Sequence, residues 1–129
     1  MELDITNSSL FTSLLEINFE DCIYDIHNDF DLKSIRYCNV KSLLEFNFDE
    51  AKGNITIDLS FKDVDLLSFK IPVDQEDITI DNLHRGRYEY LNKLYDEYNG
   101  KRCFYIEFYS LGDFNILCRE AKFIVRNKN

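Results

Sequence analysis

From Cys103 to Val125 apolar side chains fall on alternate residues: Phe104, Ile106 and Phe108, then Phe114, Ile116 and Cys118, then Ala121, Phe123 and Val125. A period of two belongs to β-strands, whose successive side chains point to opposite faces. If Leu111-Gly112-Asp113 forms a three-residue hairpin loop, Ser110 faces Phe114 and opposed residues have numbers summing to 224. Even positions then share one face. A slip of one residue would turn one apolar set to solvent, so burial selects the parity. In this register Cys103 faces Ala121 and Cys118 faces Ile106, and no disulfide joins them. Tyr105 faces Arg119 with Glu107 diagonal to it, a grouping expected to be a surface ion pair beside an aromatic. The change of parity after Cys118 predicts a β-bulge near Arg119-Glu120.

The same alternation marks a second hairpin. Leu44, Phe46 and Phe48 alternate with Glu45 and Asn47, and Ile55, Ile57, Leu59 and Phe61 alternate with Thr56, Asp58 and Ser60. Asp49-Glu50-Ala51-Lys52-Gly53 connects them. A first long strand is expected from Asn18, with Cys22, Tyr24 and Ile26 on one side, followed by turn chemistry at Asn28-Asp29 and Asp31. Another runs from Asp65 to Ile71 and stops at Pro72, with Asp74-Gln75-Glu76-Asp77 as an exposed loop. Two helices are expected. Ser8-Ser9 could cap a short one carrying Leu10, Phe11, Leu14 and Leu15. Tyr88, Leu91, Leu94, Tyr95 and Tyr98 recur at helical spacing, with Asn82 as cap and Gly100 as terminator; the competing reading is a strand over Arg87–Leu91. The order of elements shows no βαβ alternation. The expected fold is therefore α+β, mainly an antiparallel β-sheet or curved half-barrel with one or two short helices, in a single domain over residues 1–129.

The chain has 129 residues, 45% of them hydrophobic, enough for a core without metal or disulfide staples. Its four cysteines, 22, 38, 103 and 118, include no Cys-x-x-Cys pair and no His at zinc-finger spacing; they are expected to be reduced thiols. No basic leader precedes an apolar run, and no apolar stretch reaches the ~20 residues of a membrane-spanning helix. A cytoplasmic protein without membrane contact is expected. The net charge of −9 is unevenly spread. Residues 1–81 hold eighteen acids and six bases, a balance of −12, and residues 82–129 hold six acids and nine bases, a balance of +3. Lys33 is the first base. Such a front repels phosphate, so nucleic acid is excluded as a partner. Either it only keeps a small protein soluble, or it folds against the basic back and is neutralised, or it stays free for a cationic partner.

Chemistry-bearing motifs are scarce. His27 and His84 have no second His three or four residues away, and a cysteine nucleophile would need one of them nearby in space. Asp29-x-Asp31 and Asp63-x-Asp65 do not continue into a calcium loop. Glycines at 53, 86, 100 and 112 form neither a phosphate loop nor a nucleophile elbow. No catalytic residue, cofactor or metal is expected, and the chain reads as a non-enzyme.

Phe19-Glu20-Asp21-Cys22-Ile23-Tyr24-Asp25-Ile26, the alternating strands after it, and the closing Cys103–Phe108 and Phe114–Cys118 hairpin resemble a pattern among small bacterial immunity proteins, which neutralise partner toxins in interbacterial competition. Many of those carry His where this chain has Glu20. The resemblance implies a non-catalytic inhibitor of a basic toxin domain, and the base-free front offers Glu20, Asp21, Asp25, Asp29 and Asp31 as partner-binding residues. The alternative from a different class is a small-ligand-binding β-rich domain with an aromatic-lined pocket.

Overall fold

The computed structural model describes residues 1–71, 78–109 and 112–128. Its strands are β1 (Glu2–Asp4), β2 (Glu16–Phe19), β3 (Cys22–Asp25), β4 (Phe30–Cys38), β5 (Leu43–Glu50), β6 (Ile55–Lys62) and β7 (Asp65–Lys70). There follow β8 (Ile80–Gly86), β9 (Tyr88–Tyr90), β10 (Lys93–Tyr95), β11 (Arg102–Phe108), β12 (Asp113–Cys118) and β13 (Glu120–Asn127). The one helix among the described residues, α1, is four residues long, Ile26–Asp29. The fold is thus almost entirely antiparallel β, and the expected α+β class overstates the helix.

A five-stranded sheet in the order β1-β13-β6-β5-β4 packs on a four-stranded sheet in the order β7-β12-β11-β8, and neither closes into a barrel. Alternation puts Phe46, Phe48, Ile57, Leu59, Phe61 and Phe123 on the inner face of the first sheet and Leu83, Phe104, Ile106, Phe108, Phe114 and Ile116 on that of the second. The layers meet through aromatic rings. Phe46 stands 5.0 Å from Phe114, edge to face, and 5.6 Å from Phe108, and Phe61 stands 5.6 Å from Phe104. Such geometries suit the ring quadrupoles and add to the burial itself.

The C-terminal hairpin keeps the expected parity but not the expected register. Phe104 faces Ile116 and Ile106 faces Phe114, so opposed numbers sum to 220 rather than 224. The connection is longer than three residues, with Phe108 N–H donating to the Gly112 carbonyl at 2.7 Å; Ser110 and Leu111 lie outside the described residues. A shift of two residues per strand returns every side chain to its own face, which is why burial alone could not exclude it. Cys103 consequently faces Leu117 and Cys118 faces Arg102, and all four cysteines are free. The parity change after Cys118 marks a corner instead of a bulge: the chain leaves the four-stranded sheet at Cys118, turns at Arg119 and enters the five-stranded sheet as β13. Arg119 there pairs with Asp63 and not with Glu107, while Tyr105 stands opposite Asn115 and its hydroxyl donates to Glu107 at 3.2 Å.

The β5–β6 hairpin stands as expected, and β7 occupies the Asp65–Ile71 strand to within a residue. Residues 72–77, which include the expected acidic loop, are outside the described set. Neither of the two expected helices is present. Residues 8–15 run beside β8 with a turn at Phe11, Leu10 bridging Arg85, Phe11 N–H donating to the Arg85 carbonyl at 2.8 Å and Leu14 N–H to the Leu83 carbonyl at 2.9 Å. They cover a sheet edge that would otherwise offer unpaired backbone groups. Residues 81–100 hold β8 and the two-stranded β9–β10 ribbon, so the competing strand reading holds for Tyr88–Tyr90.

Buried Thr6 ties the first residues to the core. Its hydroxyl donates to the Ala121 carbonyl at 3.3 Å and accepts the Ala121 N–H at 2.9 Å. Thr6→Val, which keeps the shape and orphans the Ala121 N–H while its carbonyl keeps the Ile5 N–H at 2.9 Å, is expected to lower unfolding free energy by about 1–3 kcal/mol in urea titration.

Candidate functional site

The acidic front gathers at one end of β8. The expected long first strand is instead a tight hairpin, β2–β3, followed by α1 and the edge strand β4. Glu20 and Asp21 form its two-residue turn with φ of 52° and 62°, the left-handed pair of a type I′ hairpin turn. Asp25 caps α1: its carboxylate accepts the Asn28 N–H at 3.0 Å and the Asn28 side-chain amide at 2.7 Å. The Asn28 side chain and then its backbone hold the Asp25 carboxyl below its ordinary range. Asp29 ends the helix, exposed, and its carbonyl accepts the Ala51 N–H at 2.9 Å. Asp31 lies within β4 rather than in a turn, directly opposite Asp49 on β5.

Acids the sequence pattern had not singled out lie beside several of these carboxylates. Glu16 stands opposite Asp25 across β2–β3. Glu50 faces Phe30 at the start of β4 and shares a shallow surface depression with Asp29. Tyr24 links the hairpin to this group: burial first, then the charges of Cys22, Glu20 and Glu50, push its hydroxyl up. Like charges directly opposite one another on a sheet destabilise it. Asp49 is relieved by the Lys128 ammonium at 3.1 Å, but among the described residues no cation pairs with Glu16, Glu20, Asp21, Asp25, Asp29 or Asp31. The basic second half is spent elsewhere. Lys101 sits between Asp63 and Asp65, Arg119 pairs with Asp63, Arg102 with Glu97, Lys122 with Glu2 and Glu120, and Arg126 with Asp58. The basic back therefore neutralises the acidic half in part, at Glu2, Asp49, Asp58, Asp63 and Asp65, and not at the carboxylates of β2–β3, α1 and the start of β4. Asp63 and Asp65, read from the sequence as a solvated turn, serve this ion-pair network.

His27 faces the same region, its Nδ1 2.6 Å from the Ile80 carbonyl and 3.6 Å from Asp81. His84 lies elsewhere, opposite Tyr105 on the outer face of the four-stranded sheet, and is thus diagonal to Cys103, which faces Gly86. The Cys103 thiol is 3.2 Å from the Asn115 amide oxygen. Cys, His and Asn on adjoining strands invite comparison with a thiol nucleophile, but burial pushes the Cys103 thiol up to about 11 and lowers the His84 imidazole. Both shifts oppose a thiolate–imidazolium pair, since a reactive cysteine needs its pKa depressed. Among the described residues no group of three or more His, Cys, Asp or Glu side chains is placed to hold a metal ion, and no helix is long and apolar enough to cross a membrane.

A second concavity of about 510 Å³ opens between the edge strands β4 and β7. Leu32, Ile35, Tyr37, Leu66, Phe69 and Phe114 line it, with Lys33 at its rim. Alternation on β7 carries its signal, since Phe69 remains largely exposed although it stacks on Phe114 at 5.9 Å.

No protein-family model, no curated protein and no solved structure matches this chain.

Proposed function

We propose that the protein is a non-catalytic, acidic protein-binding module of the immunity type, which neutralises a basic toxin domain by occupying its cationic cleft. The observation that carries the reading is the set of carboxylates on β2–β3, α1 and the start of β4 that have no ion pair among the described residues, while the bases of the second half pair with other acids such as Asp58, Asp63 and Asp65. Opposed carboxylates such as Glu16 and Asp25 cost the fold stability, and a cationic partner would relieve that cost. The turn adds to this. Glu20 holds a left-handed conformation that Gly or Asn adopts more cheaply, and it presents a carboxylate at the hairpin tip. The site residues of this reading are Glu20, Asp21, Asp25, Asp29 and Asp31; its setting is the cytoplasm, without nucleic acid, membrane or cofactor.

The test is the association rate with the product of the adjacent gene, measured at low and high salt. Charge steering predicts an on-rate that falls with ionic strength and falls about tenfold or more in a Glu20→Lys/Asp29→Lys double variant. Asp25 is left in place because it caps α1. Tight binding indifferent to salt and to both substitutions would move the interface off the acidic front. Absence of binding would transfer the reading to a ligand-binding domain, for which the 510 Å³ apolar concavity between β4 and β7 is the specific support.

A further inference from the structure

The two sheets stand open on the side where β4 and β7 are their edges. Each of these edge strands carries a bulge. On β4, Leu32 faces Phe48 and Ser34 faces Asn47, which leaves Lys33 as the extra residue. A bulge resets the alternation and re-aims a side chain. Beyond it Ile35 and Tyr37 stand opposite the buried Phe46 and Leu44, so they point inward where an unbroken strand would have turned them out. On β7, Leu66 faces Ile116 and Phe69 faces Phe114, with Leu67 as the extra residue.

Inner faces of a sandwich are ordinarily covered by the opposite layer. Here Tyr37 is 42% exposed and Phe69 56% exposed, although both face inward by register. Between them lies the concavity of about 510 Å³, with the buried Leu44 and Phe114 in its lining. Its volume falls in the ~300–1,000 Å³ range of small-molecule sites, which join an apolar lining to a few placed polar groups. Lys33 is the one charged side chain among the described lining residues, and it has no ion pair among the described residues. Asp31, the nearest acid of the front along β4, alternates with the buried Phe30 and Leu32 and stands opposite Asp49, on the outer face. Lys33 and Tyr37 are separated by roughly 13 Å of strand, with Ile35 between them and Leu66 and Phe69 across the gap. An ammonium at one end of an apolar slot is complementary to a molecule with one anionic head and one apolar tail.

We propose that the cleft between β4 and β7 binds a single-chain amphipathic carboxylate of the fatty-acid class, its head on Lys33 and its chain against Ile35, Tyr37, Leu66 and Phe69. The inference rests on the ligand-binding reading, to which it gives a ligand class, and is independent of the basic-partner one. Desolvating the chain supplies the affinity. Lys33 supplies the preference for an anionic head.

The experiment titrates sodium octanoate, sodium decanoate and octan-1-ol into the isotope-labelled protein and follows backbone amide shifts by NMR for wild type, Lys33→Gln and Phe69→Ala. Shifts are expected on β4 and β7. Each added methylene should tighten binding about fourfold, hence decanoate roughly fifteenfold over octanoate. Octanoate should bind about three- to tenfold more tightly than octanol. Lys33→Gln should abolish that preference while leaving octanol within about twofold, whereas Phe69→Ala should weaken all three probes. Octanol binding as tightly as octanoate, or Lys33→Gln weakening both alike, would overturn the anionic class and spare an apolar guest. Shifts that Phe69→Ala leaves unchanged would place the bound chain elsewhere and overturn the site. If millimolar decanoate shifts no amide of β4 or β7, the site and the ligand-binding reading fall together, and the rates measured with the adjacent gene's product are untouched.

Discussion

Replacing Phe46 by alanine is expected to lower the unfolding free energy by about 3–5 kcal/mol, the range for a fully buried phenylalanine whose cavity cannot collapse. Phe46 is completely buried on β5 and meets Phe61 of its own sheet at 6.1 Å, edge to face, and Phe108 and Phe114 of the facing sheet. Its removal therefore leaves a void between two layers, each held in place by its own backbone ladder. Phe108→Ala should fall in the same range. Tyr109→Ala should cost under about 1 kcal/mol, because that side chain is 68% exposed and only its backbone N–H is engaged, by Thr79 at 2.9 Å. Urea unfolding of the three variants checks the prediction. Equal losses at Phe108 and Tyr109 would mean that the hairpin presents the wrong face to the core.

Thiol chemistry should divide the cysteines sharply. Burial pushes the Cys118 thiol up to about 12 and the Cys103 thiol up to about 11, from an ordinary value near 9. The Cys118 thiolate is then about a thousandfold scarcer than that of an unburied thiol, and the thiolate is the species that reacts. Cys22 is exposed and Cys38 half-buried. With iodoacetamide at pH 8, the native protein should lose Cys22 first and retain Cys103 and Cys118 until it unfolds. Denatured without reductant, it should show four thiols; fewer would reveal a bridge. The same shifts fix a pH dependence. Unfolded thiols ionise near pH 9 while the folded ones stay protonated, so this contribution to stability is complete below pH 9 and is lost as the pH rises from 9 towards 12.

The parity of the C-terminal hairpin was legible because burial distinguishes the two faces of a strand, and Phe104 and Phe114 could not both be core residues otherwise. The register within that parity depended on how many residues the turn takes, and no alternation encodes that number. Residues 81–100 misled for a different reason. Tyr88, Tyr95 and Tyr98 are spaced for a helix, yet two tight turns, at Leu91-Asn92 and Asn99-Gly100, interrupt any continuous ladder. Asn99-Gly100, read as a helix terminus, is a strong hairpin signal. Its residues have φ of 53° and 75°, and Tyr98 and Lys101 exchange two backbone hydrogen bonds of 2.9 Å across them. Glu20-Asp21 and Leu91-Asn92 gave no such warning, because neither turn contains glycine. At the candidate site the acids themselves were legible from the base-free first 32 residues. Their lack of partners was not, since it depends on where Lys101, Arg119 and Arg126 end up.

The position of β13 has a consequence for how the chain reaches this state. Glu2 pairs with Ile124 and Asp4 with Lys122, and β13 also runs along the whole of β6, from Glu120 opposite Lys62 to Asn127 opposite Ile55. During synthesis β1 leaves the ribosome more than a hundred residues before the strand that receives it, and β6 waits through some sixty residues with one edge bare. Pairings so distant in sequence must overcome loop-closure entropy before they are rewarded, which places folding of such topologies in the millisecond-to-second range. For that interval the edge of β6 is open to strands of neighbouring nascent chains. Mutual repulsion among unfinished copies, each bearing the acidic first half, would hold those edges apart until β13 arrives.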